Sequence, residues 1–165
     1  MAKDSSFDVV SIVNMQEIDN AYQQTIRELS NRYDLKQTNS SIEFSRSEKT
    51  FTINAPADFV AHQIIDILNS KLIKRGLDIK VVRWEAPQSA SGDSIRIFGK
   101  LIEGIDQDIA KKISKDIKNL KYKCKVAIES DKLRVTSASR DTLQDVISYL
   151  KDQDYGQPLQ FNNYR

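Results

Sequence analysis

Residues 41–68 read SIEFSRSEKTFTINAPADFVAHQIIDIL, a strand pair followed at once by an amphipathic helix. Alternation along the strands puts Ile42 and Phe44 on one face of the first and Phe51 and Ile53 on the same face of the second. A two-residue turn at Ser47 and Glu48 sets Ile42 opposite Ile53 and Phe44 opposite Phe51, and a slip of one residue would turn every one of them over. Residues 125–150, KVAIESDKLRVTSASRDTLQDVISYL, repeat the arrangement, with Val126 opposite Val135 and Ile128 opposite Leu133 around Ser130 and Asp131. The shared register points to a duplicated unit.

The flanking segments complete each copy. FDVVSIV (7–13) is expected as a strand, followed by a helix in which Ile18, Tyr22, Ile26 and Leu29 recur at helical spacing. Asn14 is its expected N-cap, with Glu17 three residues on. A second helix, 57–75, turns Ile64, Ile65, Leu68 and Leu72 inward and ends at Gly76, before a strand DIKVVRW (78–84). APQSASGD (86–93), rich in turn formers, is the expected linker between units 1–85 and 94–165. The order then restarts with a strand SIRIFGKLI (94–102), a helix marked by Ile105, Ile109, Ile113, Ile117 and Leu120, the second hairpin, a helix over 139–152 and a short strand in the tail GQPLQFNNYR (156–165). Each unit is therefore βαββαβ, and the expected class is α+β, a tandem duplication of ferredoxin-like units with both helices on one sheet face and the other face uncovered.

A chain of 165 residues, 39% hydrophobic and 29% charged, is long and apolar enough to fold. No apolar run approaches the roughly 20 residues of a membrane span, and MAKDSSFD lacks a secretion signal's apolar core, so a cytoplasmic location and no membrane partner are expected. The five glycines are too scattered for a phosphate-cradling loop. One histidine, His62, and one cysteine, Cys124, form neither a metal site nor a nucleophilic triad, so no enzyme activity, cofactor or metal is expected. Cys124 reads as a small buried apolar residue turned away from its lysine neighbours.

The positive signal is KKISKDIKNLKYKCK (111–125), seven lysines against Asp116. Residues 1–92 hold 11 basic and 12 acidic side chains and residues 93–165 hold 14 and 11, so the basic character is local. As a strand, 121–128 would turn Tyr122, Cys124, Val126 and Ile128 one way and Lys121, Lys123 and Lys125 the other, with Arg134 on the lysine side. That uncovered face would attract phosphate. The same lysines also suit solvation and the helix dipole. The matching face of the first unit, with Ser41, Glu43, Ser45, Thr50 and Thr52, has no positive charge, and neither face offers aromatics for stacking bases.

SFDVVS (6–11), NRYDLK (31–36), ADF (57–59), KRG (74–76), KKISKDIK (111–118), LRVT (133–136), RDTLQDVI (140–147) and above all GQPLQFNNYR (156–165) give the chain, over nearly its whole length, a resemblance to the YajQ family of bacterial proteins. The resemblance implies that the units exchange their N-terminal strands, placing residues 7–13 with the second unit. It also implies a nucleotide-binding regulatory protein without enzymatic activity, some relatives being cyclic di-GMP effectors and RNA binding having been suggested. The expected ligand is ATP, GTP or cyclic di-GMP. Charge and geometry assign its phosphates to Lys121, Lys123, Lys125 and Arg134, with Lys111, Lys115 and Lys118 adding long-range attraction and Arg140 or Arg165 closing the site. The alternatives are nonspecific RNA binding through the same patch, and a protein-interaction adaptor that docks a partner through Phe161 and Tyr164.

Overall fold

A computed structural model describes residues 4–165; residues 1–3, the start of the first expected unit, lie outside the described residues. In chain order the elements are β1 (Ser5–Val10), α1 (Met15–Asn31), α2 (Tyr33–Lys36), β2 (Ser41–Ser45), β3 (Thr50–Ala55), α3 (Asp58–Lys74), β4 (Val82–Trp84) and β5 (Gln88–Ser89). They continue with β6 (Ile95–Leu101), α4 (Gln107–Asn119), β7 (Lys125–Glu129), β8 (Lys132–Ser137), α5 (Arg140–Lys151) and β9 (Gln160–Asn162). The class is α+β, with two antiparallel sheets ordered β7-β8-β1-β9 and β2-β3-β6-β4, β5 extending the β4 edge.

Both hairpins take the expected register, Ile42 with Ile53 and Phe44 with Phe51 in one, Val126 with Val135 and Ile128 with Leu133 in the other. The second turns at Ser130 and Asp131, as expected. The first does not turn in two residues: pairing stops at Ser45 and Thr50, leaving a four-residue turn in which Lys49 adopts a left-handed conformation. Strand partners differ from the simplest reading of the repeat. β1 pairs with β8 and β9, whereas β6 pairs with β3, β4 and β5.

The chain accordingly divides into a continuous unit, Val13–Ile102, and a split unit made of residues up to Ile12 together with Glu103–Arg165. Residues 86–93 lie inside the continuous unit, where Gln88 and Ser89 pair with Arg96 and Ile95. The chain crosses between units at 12–13 and 102–103 instead.

In the continuous unit Ile18, Ile64, Leu68 and Leu72 pack on Phe51, Ile53 and Ile97, each worth roughly 1.5–3 kcal/mol when fully buried. Asn14 caps α1 by accepting from the Glu17 amide at 3.2 Å. The buried face of α1 runs through Ile18, Ala21 and Thr25, and Ile26, expected inside, is 37% exposed because it lies about 80° around the helix from Ile18. Gly76, at φ 77°, ends α3 with the Leu77 amide bonded to the Leu72 carbonyl and its own to Ile73, the paired bonds that a left-handed residue permits. The expected strand 78–84 is shorter, since Asp78 caps a 3-10 turn over Ile79–Val81. In the split unit Phe7 and Val9 of β1 join Ile113, Ile117, Leu133, Val135, Val146 and Ile147. Strand β1 ends at Val10, short of the expected Val13, as the Ser11 hydroxyl turns to the Pro158 carbonyl at 2.7 Å.

Candidate phosphate-binding surface

The lysine run is not one strand. Asp106 caps α4 through the Ile109 amide at 2.9 Å, and with Ile113 and Ile117 buried the helix turns Lys111, Lys115 and Lys118 to solvent. Lys112 lies 5.7 Å from the ring centroid of Tyr155, whose hydroxyl donates to Asp116 at 2.8 Å. The chain leaves α4 through Lys121, held left-handed at φ 60°, and the Cys124 amide reaches back to the Tyr122 carbonyl at 2.9 Å. Strand geometry begins only at Lys125. Lys121, Lys123 and Lys125 are all exposed, but the alternation that aligned them does not hold, and Tyr122 is 41% exposed rather than inward. Cys124 is half-buried, and burial pushes its thiol pKa up, away from reactivity.

Arg134 stands on the expected face, but its charge is engaged. It donates through Nε to the Asp8 carboxylate at 3.0 Å and lies 3.6 Å from Glu129. Asp8, on β1, is 2% exposed and also accepts from Lys132 at 3.3 Å and Asn163 at 2.8 Å. Burial pushes its pKa up, but the bonds from Arg134, Asn163 and Lys132 outweigh that and hold it at about 2. This centre escaped sequence reasoning because Asp8 meets Arg134 only through the pairing of β1 with β8; the sole signal was an acid inside an apolar strand.

The strand partners also redistribute charge between the two sheet faces that turn away from the helices. On the split unit's sheet, Lys125, Lys132 and Arg134 meet Asp8 and Glu129, for a balance of +1. On the continuous unit's sheet, β4, the residue that follows it and β6 add Arg83, Arg96, Phe98 and Lys100 beside Glu43 and Glu85, which pairs with Lys100 at 3.2 Å, for +1 as well. The expectation that this second face lacks positive charge and aromatics is corrected: it was read from the hairpin alone, before β6 was placed there.

Arg140 and Arg165 do come together. Ser139 caps α5 through the Thr142 amide at 3.2 Å, and Arg140 is the first residue of that helix. The Ser137 hydroxyl, donating to the Lys123 carbonyl at 2.7 Å and accepting from the Ser139 amide at 3.1 Å, ties the lysine loop to the same point. At the other side Asn163, left-handed at φ 59°, inserts one extra residue into β9's line, so that Arg165 rather than Tyr164 exchanges backbone bonds with Ser6, at 3.2 and 3.0 Å. The Tyr164 ring then lies 6.3 Å from Phe7 yet remains 60% exposed.

The result is a cavity of about 330 Å³ lined by Ser5, Ser6, Arg140, Leu143, Gln144, Tyr164 and Arg165, with no carboxylate side chain among them. Across the sheet, Ser6 pairs with Thr136 and Thr136 with Lys125, which puts the exposed Lys125 in the same row. Two arginines, two serines, a glutamine and a tyrosine among the lining residues are the types that suit phosphate and a planar base. Lys111, Lys115 and Lys118 do not line it. His62 is exposed, its Nδ1 2.8 Å from the Asp58 carbonyl oxygen, and among the described residues no cluster of His, Cys, Asp or Glu could hold a metal. No described helix is long and apolar enough to cross a membrane.

The chain is similar along its whole length to known proteins. The chain is 44% identical over 165 residues to a protein named nucleotide-binding protein from Chloroherpeton thalassium, with all of both chains covered. It is 46% identical over 165 residues to one of the same name from Desulfitobacterium hafniense, again over both full lengths. A third, from Enterococcus faecalis, is 44% identical over 164 residues, 99% of each chain. The family model described as nucleotide-binding protein YajQ-like matches residues 5–165. The chain therefore belongs to the YajQ-like family of nucleotide-binding proteins.

Proposed function

We propose that this protein is a non-enzymatic, nucleotide-binding regulator that takes the ligand's phosphates on the basic surface of the split unit, with Arg140 and Arg165 as the principal contacts. The observation that carries this reading is the cavity lined by both arginines and Tyr164 with no acidic side chain in the lining. Its volume, about 330 Å³, is at the small end of small-molecule sites and suits one nucleotide moiety. Lys125 stands in the row of Thr136 and Ser6 and Lys123 is tied to Ser137, so both add positive charge outside the lining, whereas Lys111, Lys115 and Lys118 act at longer range as steering charge. Arg134, committed to Asp8, is a supporting residue rather than a direct contact. The scaffold is read as two ferredoxin-like units with exchanged first strands, because each sheet has the order hairpin strand, hairpin strand, exchanged strand, final strand. A cyclic di-GMP effector role and a cytoplasmic location fit this reading.

Thermal-shift measurements with ATP, GTP, cyclic di-GMP and a short RNA test it, because a ligand at about 100 times its Kd stabilises the folded state by about 2.7 kcal/mol. One of the nucleotides should raise the melting temperature saturably. Stabilisation by RNA alone, with log affinity falling against log salt at about 0.7 to 0.9 per neutralised phosphate, would favour the second reading, polyanion binding along the exposed lysines of α4.

A further inference from the structure

A second cleft, lined only by polar and charged residues, lies on the helical side of the continuous unit. Its volume is about 400 Å³, and its lining is Gln24, Arg27, Glu28, Asn31 and Arg32 from the end of α1 and its cap with Lys71 and Lys74 from the last turn of α3. Four cations and one acid give the walls a balance of +3. The acid is already occupied: the Glu28 carboxylate accepts from Lys71 Nζ at 2.8 Å and lies 3.8 Å from Arg32. Arg32 also grips Asp34, outside the cleft, through Nε at 3.1 Å and a second nitrogen at 2.8 Å. Arg27 and Lys74 have no ion-pair partner within 4.0 Å among the described residues.

Helix ends account for part of this charge, since cations near a C-terminus offset the helix dipole. They do not account for cations of two different helices meeting across one concavity, where like charges repel and Arg27 and Lys74 lack an acidic partner within 4.0 Å among the described residues. Lys71, bonded to Glu28, is held in place by that pair, and Arg27 and Lys74 line the same concavity. A compact anion of several charges would satisfy them at once. Single phosphates would neutralise only part of the balance, whereas a linked phosphate chain spans both helices.

We propose that this cleft binds a polyphosphate chain, free or as the tail of a nucleoside triphosphate, in a site separate from the cavity at Arg140 and Arg165. The phosphates would lie between Arg27 and Lys74, with Gln24 and Asn31 donating from the side and Lys71 and Arg32 fixed by their acids. The nucleoside makes no required contact.

The test is a titration of the isotope-labelled full chain with inorganic tripolyphosphate and, separately, ATP, followed by backbone amide shifts. Saturable shifts at residues 24–32 and 71–75 with Kd values for the two ligands within about threefold are expected. The R27Q/K74Q double variant should weaken that binding by about tenfold or more, as loss of charge-assisted bonds does. R140Q/R165Q should leave it unchanged, which keeps this site's failure distinct from that of the nucleotide cavity. Absence of shifts at those residues in the wild-type chain, shifts there with ATP only, or unaltered affinity in R27Q/K74Q would overturn the proposal. The wild-type shift map decides the matter even if the double variant does not fold.

Discussion

Asp8→Asn removes the one buried carboxylate on which three donors of the split unit converge. The fall of its pKa from 3.8 to about 2 corresponds to about 2.5 kcal/mol of stability at neutral pH, at about 1.36 kcal/mol per pH unit. Because the folded-state value is the lower one, that stability is present above about pH 4 and is lost as pH falls through about 2. Asparagine leaves Arg134 and Lys132 facing a neutral amide. Their side chains are 27% and 34% exposed, so water offsets part of the loss and the cost stays near 2–3 kcal/mol, below the roughly 3–5 kcal/mol of a fully buried pair. For a chain of this size that lowers the melting temperature by about 5–10 °C. Melting followed by far-UV circular dichroism from neutral to strongly acidic pH should show this gap at pH 7 and show it closing in acid. A gap of less than about 1 °C at pH 7, or one that persists undiminished at pH about 2, would refute the reasoning.

Gly99→Ala should destabilise the continuous unit by at least about 2 kcal/mol, since an added Cβ would lie 2.5 Å from the Trp84 ring and 2.8 Å from Val82; Trp84 fluorescence in urea reads it directly. Tyr155→Phe should cost about 1–1.5 kcal/mol in chemical denaturation. It loses the 2.8 Å bond to Asp116 that, with burial, holds the phenol protonated far above its usual range. Ser139→Ala should cost about 1 kcal/mol and also weaken nucleotide binding measured by calorimetry, because the cap sets where Arg140 begins α5.

Much of this architecture was readable because it depends on local chemistry. Alternating side chains fix a hairpin's register, and Asn14, Gly76 and the Ser130–Asp131 turn mark their own positions. Strand neighbours are different: alternation says which way Phe7 or Ile97 faces, not which strand lies beside it. That gap moved Asp8 into the basic sheet and Arg96 and Lys100 into the neutral one, removing the contrast between faces on which the lysine site had been argued. Lys121 offered no warning that it is left-handed, because glycine, the usual marker, is absent there. The meeting of Arg140 with Arg165 depends on one extra residue at Asn163 and on a tertiary pairing with Ser6, neither of which has a sequence period.

The most direct test of the central claim is amide shift mapping on the labelled full chain with cyclic di-GMP, GTP and ATP in parallel. At least one should produce saturable shifts centred on Ser5, Ser6, residues 140–144, Tyr164 and Arg165, with affinity reduced about tenfold in R140Q/R165Q. Saturable binding that leaves those residues unshifted, or that is indifferent to loss of both guanidiniums, would contradict the account.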